Sequence, residues 1–169
     1  MKKLYITALL ASLTLIGGCS DDDDEVIVPP EPPLAVADID SASVILLELG
    51  SFDGPSGELG FTLSDDKGVR LTGASAYSIH YLGMPDEPSR KPKSWQRWHA
   101  ISSFHCPADN SAPCTGILDA VDDKGNYRFT ADGLDWDSLA TPDAVGIYKV
   151  AIQIHGALAS NQVELMTAN

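Results

Sequence analysis

Glu58-Leu59-Gly60-Phe61-Thr62-Leu63-Ser64, running on into Asp65-Asp66-Lys67-Gly68 and then Val69-Arg70-Leu71-Thr72-Gly73, is the stretch from which the fold is read. Leu59, Phe61 and Leu63 alternate with Glu58, Gly60, Thr62 and Ser64. Successive side chains of an extended chain point to opposite faces, so this period of two predicts a half-buried strand. Asp suits the early turn positions and glycine the positive φ that closes a short loop. Asp65–Gly68 therefore predicts a hairpin turn, with Val69–Thr72 as the returning strand. Val121-Asp122-Asp123-Lys124-Gly125 repeats nearly the same letters ahead of Asn126–Thr130, where Tyr127 and Phe129 fall on one face. A turn solution used twice accounts for the shared Asp-Asp-Lys-Gly without invoking calcium or phosphate.

Working outward, Val44–Leu49 is a continuous apolar run, expected to be a strand buried on both faces. Ala76–Leu82 places Tyr77, Ile79 and Tyr81 inward and leaves His80 on the polar face. Gly83–Lys93 holds Pro85, Pro88 and Pro92 among charges and predicts an exposed loop. Ser94–Ile101 reads as a strand. Its Trp95 and Trp98 are three apart and face opposite sides, so one enters the core and the other is a candidate surface contact. Gly133–Asp143 is a loop carrying Trp136, with one helical turn before Pro142. Ile147–His155 is the cleanest strand, setting Tyr148, Val150, Ile152 and Ile154 against Lys149, Ala151, Gln153 and His155. Val163–Met166 predicts a last edge strand. About eight short strands separated by Gly, Pro and Asp turns predict an all-β domain over residues 39–169, either a Greek-key split β-barrel or an immunoglobulin-like sandwich.

The N-terminus carries an address. Lys2 and Lys3 precede an apolar run from Leu4 to Ile16, shorter than the roughly 20 residues a bilayer-spanning helix needs, so residues 1–18 read as a signal peptide. Gly17-Gly18-Cys19 resembles a bacterial lipobox. That resemblance implies that Cys19 becomes the lipidated first residue of the mature chain and that the membrane is a partner through this anchor. Ser20, in place of an Asp, favours delivery to the outer membrane. Residues 19–38 then form a tether. Asp21–Asp24 and Glu25 repel one another, and Pro29, Pro30, Pro32 and Pro33 stiffen the chain. Consecutive aspartates point in divergent directions and lack the tight Gly turn of a calcium loop, so the run is read as a solvated spacer.

Composition narrows the function classes. With 24 acidic against 11 basic residues and a formal net charge of −13 over 169 residues, the chain is unsuited to nucleic acid or to docking on anionic lipid. Cys106 and Cys114 are the two thiols left in an exported chain once Cys19 is lipidated. They are expected to pair across a nine-residue loop, for about 2.5 kcal/mol on the chain-entropy model. A redox or metal site built with His99 and His105 is the weaker reading, since there is no C-x-x-C spacing and no ligand-like interval to a third partner. His80 and His155 lie on polar strand faces with no nucleophile at motif spacing. There is no G-x-S-x-G, and nothing selects a pair of carboxylates. The expectation is therefore no catalytic residue, no metal and no cofactor.

Four segments in order carry a family resemblance: Phe61–Gly73 (FTLSDDKGVRLTG), Ser94–Gln96 (SWQ), Asp122–Thr130 (DDKGNYRFT) and Val150–Gly156 (VAIQIHG). Together with the lipobox and the acidic linker, they resemble the N-terminal β-domain of the outer-membrane decahaem c-type cytochromes of metal-reducing bacteria, the OmcA/MtrC type. The similarity spans Ser43–Asn169. It implies a surface β-domain placed beside haem-bearing domains that pass electrons to extracellular metal or flavin. The departure is equally plain: haem attachment needs C-x-x-C-H, whereas here His105 precedes Cys106 and Thr115 follows Cys114. No residue inherits a haem-binding role. The leading expectation is a haem-free scaffold or docking module at the cell surface, partnered by a multihaem cytochrome or another outer-membrane protein. The alternative is an independent immunoglobulin-like domain that binds a protein or glycan, and a small hydrolase or metal site ranks last.

Overall fold

The computed structural model describes residues 34–85, 100–140 and 145–168. These form strands β1 (Val36–Asp38), β2 (Leu46–Asp53), β3 (Glu58–Ser64), β4 (Arg70–Thr72), β5 (Ala76–Met84), β6 (Ala100–Cys106), β7 (Ile117–Ala120), β8 (Asn126–Thr130), β9 (Ile147–His155) and β10 (Leu165–Thr167). A 3₁₀ turn spans Ile39–Ser41, and a four-residue helix, α1, spans Trp136–Leu139. No helix among the described residues is long and apolar enough to cross a membrane.

The first sheet is organised by β3. Its buried Leu59, Phe61 and Leu63 alternate with exposed or half-buried neighbours, as the period of two requires. β2 pairs with β3 along its whole length. The other edge of β3 is shared by β8, over Leu59–Thr62, and by β4, at Ser64. β7 adds to β8, and β1 adds to β4 in parallel. Both Asp-Asp-Lys-Gly stretches are turns. Asp65 Oδ1 accepts the Lys67 and Val69 amides, Asp122 Oδ1 accepts those of Lys124 and Asn126, and Gly68 and Gly125 take φ of 79° and 75°. The second sheet is wholly antiparallel, in the order β10-β9-β5-β6.

Of the two predicted all-β architectures the sandwich is observed. No described strand pairs between the sheets, so the edges stay open and no barrel closes. The core lies between the two inner faces and is largely aromatic. Tyr77 and Tyr81 of β5 and Phe104 of β6 meet Phe129 of β8 with ring centroids 5.3–6.5 Å apart, mostly edge to face, and Phe52 of β2 lies 6.0 Å from Tyr81. Trp136 plugs the open end, donating its indole N–H to the Gly54 and Pro55 carbonyls, with its ring 5.3 Å from that of Tyr148.

Several strands differ from their sequence reading. Val44–Leu49 is not a strand buried on both faces. Leu46, where β2 begins, is 50% exposed, and only Ile45 of this run is fully buried, because β2 is an edge strand with β3 on one side alone. A bulge between Leu49 and Ser51 further interrupts its alternation. Residues 94–99 of the predicted Trp-bearing strand lie outside the described residues. The strand observed there begins at Ala100 and continues to Cys106. β7, short and mostly exposed, lacks the alternation that would announce it. β1 falls within the stretch that composition assigns to the tether. It is ordered by a parallel pairing across 34 residues, which no local pattern signals.

Candidate functional site: a sheet face without carboxylates

The two outer faces differ sharply in charge. The first sheet carries Asp38, Glu48, Asp53, Glu58 and Asp119 in its strands, with Arg70 and Arg128. Arg128 Nε lies 3.3 Å from Glu58 Oε1 in an exposed pair, an arrangement worth little in stability. The four strands of the second sheet contain no Asp or Glu. With Tyr77, Ile79 and Tyr81 turned into the core, Ser78, His80 and Leu82 of β5 turn outward. The register gives them His105, Ser103 and Ile101 of β6 as neighbours on one side, and Gln153, Ala151 and Lys149 of β9 on the other. Leu165 and Thr167 of β10 extend this face beside Ala151 and Lys149.

Three of the four histidines therefore share one outer surface. His80 Nδ1 lies 2.8 Å from Ser103 Oγ. His155 Nδ1 lies 2.9 Å from Ser160 Oγ and its Nε2 3.4 Å from Ser78 Oγ. His105 stands opposite Ser78, and its backbone is tied to Thr115 through the Thr115 amide and hydroxyl. The His80–Ser103 pair has the spacing of a nucleophile and its base. A working triad also needs a carboxylate to orient and charge-balance the imidazole, and the strands of this sheet supply none. What the face offers is hydrogen-bond donors and acceptors interspersed with apolar side chains. Among them Ile101 is 57% and Leu165 51% exposed.

The remaining sequence candidates fall elsewhere. Cys106 and Cys114 form the expected disulfide, which closes the loop that follows β6. Cys19, Trp95, Trp98 and His99 lie outside the described residues. Among the described residues no group of three or more His, Cys, Asp or Glu side chains is placed to hold a metal ion. The buried phenols are not poised for proton transfer. Desolvation raises the pKa of Tyr81, Tyr77 and Tyr127, and each hydroxyl already donates to a backbone carbonyl. Sequence reading places His80 and His155 singly on polar faces. It misses their assembly into one surface, because that depends on β5 pairing with β9 some 70 residues away.

No family model matches the chain, and no curated protein matches it in sequence. Its fold is similar to part of MtrC. MtrC from Shewanella baltica OS185 aligns with a TM-score of 0.51 at 9% identity, over 74% of this chain and 21% of MtrC. The outer membrane decaheme cytochrome OmcA aligns with a TM-score of 0.45 at 13% identity, over 77% of this chain and 23% of OmcA. The chain thus spans about a fifth of the length of MtrC. The resemblance drawn from strand and turn order holds at the level of architecture, which this chain shares with one β-rich portion of MtrC. At such low identity the likeness to MtrC transfers the fold and no side-chain role.

Proposed function

We propose that this chain is an outer-membrane lipoprotein, anchored through Cys19, that presents a haem-free β-module at the cell surface. In this reading the module acts as a non-catalytic scaffold or docking domain associated with extracellular electron transfer, with a multihaem cytochrome or another outer-membrane protein as its partner. The observation that carries the reading is the likeness in fold to part of MtrC over 74% of the chain. It is joined by a sequence without C-x-x-C-H, in which Cys106 and Cys114 are bonded to each other and so are not available for thioether links to haem. The short apolar leader ending in Gly17-Gly18-Cys19 and the acidic, proline-stiffened spacer behind it support the anchor.

The test has two arms in the native host. Lipid labelling and membrane fractionation are compared for the wild type and Cys19→Ala: the wild type is expected to take label and sediment with outer membranes, and the variant to do neither. Deletion of the gene is expected to slow reduction of extracellular ferric oxide while leaving total covalently bound haem unchanged. An unlabelled wild type removes the anchor, and an unchanged reduction rate removes the link to electron transfer.

A further inference from the structure

We infer that the outer face of the second sheet is a self-association surface, through which two copies of this chain pack face to face about a two-fold axis. The inference goes beyond the proposed function and does not depend on electron transfer.

The argument begins with charge. A chain of net charge −13 repels its own copies, and association over the outer face of the first sheet would bring Glu48, Asp53, Glu58 and Asp119 against another set of carboxylates. The second sheet has no acidic residue in any of its strands, although the chain holds 24. A face built to grip an anionic partner would carry several Arg or Lys side chains. Among the described residues, the strands of this face carry Lys149 alone. With no carboxylate in its strands, the face lacks the like charges that would keep two copies apart.

Chemistry and size point the same way. A two-fold interface apposes one patch to itself, so its polar groups must be able to satisfy copies of themselves. Neutral imidazole and serine hydroxyl are each both donor and acceptor. His80, Ser103, His105 and His155 give the face that property, and half-exposed Ile101 and Leu165 on its two edge strands supply apolar area. Strands of three, nine, nine and seven residues, about 4.8 Å apart at about 3.4 Å per residue, make a face of roughly 460 Å² in plan. That is the small end of the range, below the roughly 800 Å² per partner of a standard interface, and suits a weak, reversible dimer.

The experiment is sedimentation velocity on the purified full chain in mild detergent, between about 1 and about 200 µM, the range suited to weak, reversible association. A reversible monomer–dimer equilibrium is expected. Ile101→Asp and Leu165→Asp, at positions already half exposed, are each expected to raise the dissociation constant at least about tenfold by placing a carboxylate against its symmetry mate. Thr130→Asp, on the outer face of the first sheet, is expected to leave it unchanged. Circular dichroism and melting of each variant confirm folding. Should a face variant fail to fold, the wild type alone decides: the ring protons of His80 and His105 are expected to shift on dilution across the dimerisation range. A monomer throughout, a dimer indifferent to both face substitutions, one lost equally in Thr130→Asp, or histidine signals unmoved by dilution would each overturn the inference.

Discussion

The phenolic hydroxyl of Tyr81, at the centre of the second sheet, donates to the carbonyl of Gly57, in the turn that joins β2 to β3 of the first. Tyr81 is fully buried, and this bond ties the two sheets together across the aromatic core. Replacing Tyr81 with Phe keeps the ring and strands a buried carbonyl. We expect a loss of about 1–3 kcal/mol in urea unfolding, with an unchanged denaturant slope. The same residue shapes alkaline stability. Burial raises the Tyr81 pKa far above the ordinary phenol value, so the unfolded chain ionises first. Its contribution is complete below about pH 10 and is lost as pH rises from there toward the folded value. The alkaline decline is expected to be shallower in Tyr81→Phe than in the wild type.

The two Asp-Asp-Lys-Gly turns are not interchangeable. Gly68 has φ of 79° with nothing within 4 Å of the position a Cβ would take, so Gly68→Ala meets only the left-handed backbone cost, about 1 kcal/mol. Gly125 has φ of 75°, and an added Cβ would lie 2.8 Å from the Leu63 carbonyl oxygen and 3.1 Å from the backbone of Leu71. Backbone in paired strands cannot step aside as a side-chain tip can. Gly125→Ala is expected to cost about 3 kcal/mol or more, and equal losses in the two variants would contradict this account.

Asn161 is the one buried polar side chain of its kind among the described residues. It continues the pairing of β9 past the end of β10: its Oδ1 accepts the Ile154 amide at 2.6 Å, and its Nδ2 donates to the Ile152 carbonyl at 3.0 Å. Asn161→Ala leaves a buried donor and a buried acceptor without partners, for an expected loss of about 3 kcal/mol by chemical denaturation. Asn161→Asp keeps the acceptor but buries a charge. It should be no better at neutral pH and recover in part as the carboxyl is protonated.

Asp122 offers an acid-side test. The Asn126 side-chain amide, then the Lys124 amide, bond its carboxylate and hold its pKa below the ordinary aspartate value. The stability this adds is fully present above about pH 4 and is lost as pH falls through the lowered folded value. A carboxyl-carbon NMR titration should give a midpoint below that of a free Asp, and Asn126→Ala should move it back up. A midpoint at the ordinary value in the wild type would remove the Asn126 bond from the account.

Legibility in the sequence followed burial. β3, β5, β8 and β9 are central strands with one face in the core, and each announced itself by alternation because a pleated chain must turn every second side chain inward. The edge strands are less legible. Leu46 looks like a core residue by hydropathy, yet it is exposed, since β2 has a neighbour on one side only. β7 has Leu118 and the small Ala120 on its inward face, and only Leu118 is partly buried. The candidate face was not legible, although every letter of it was visible. Ser78 and His80 sit some 70 residues from Gln153 and Ala151, and nothing local requires β9 to lie beside β5.

The class of fold, the inward residues of the central strands, both Asp-Asp-Lys-Gly turns and the Cys106–Cys114 pairing can be read along the chain. All of these follow from periodicity, turn chemistry or the small number of available thiols. Long-range packing settles that the open sandwich prevails over a closed barrel and that all four strands of the second sheet are free of carboxylates. The physical reason is that strand pairing is a long-range choice. Backbone hydrogen bonds are alike for all strands, so the partner is selected by how the buried faces of the whole chain pack together, and outer-face chemistry is assembled as a consequence.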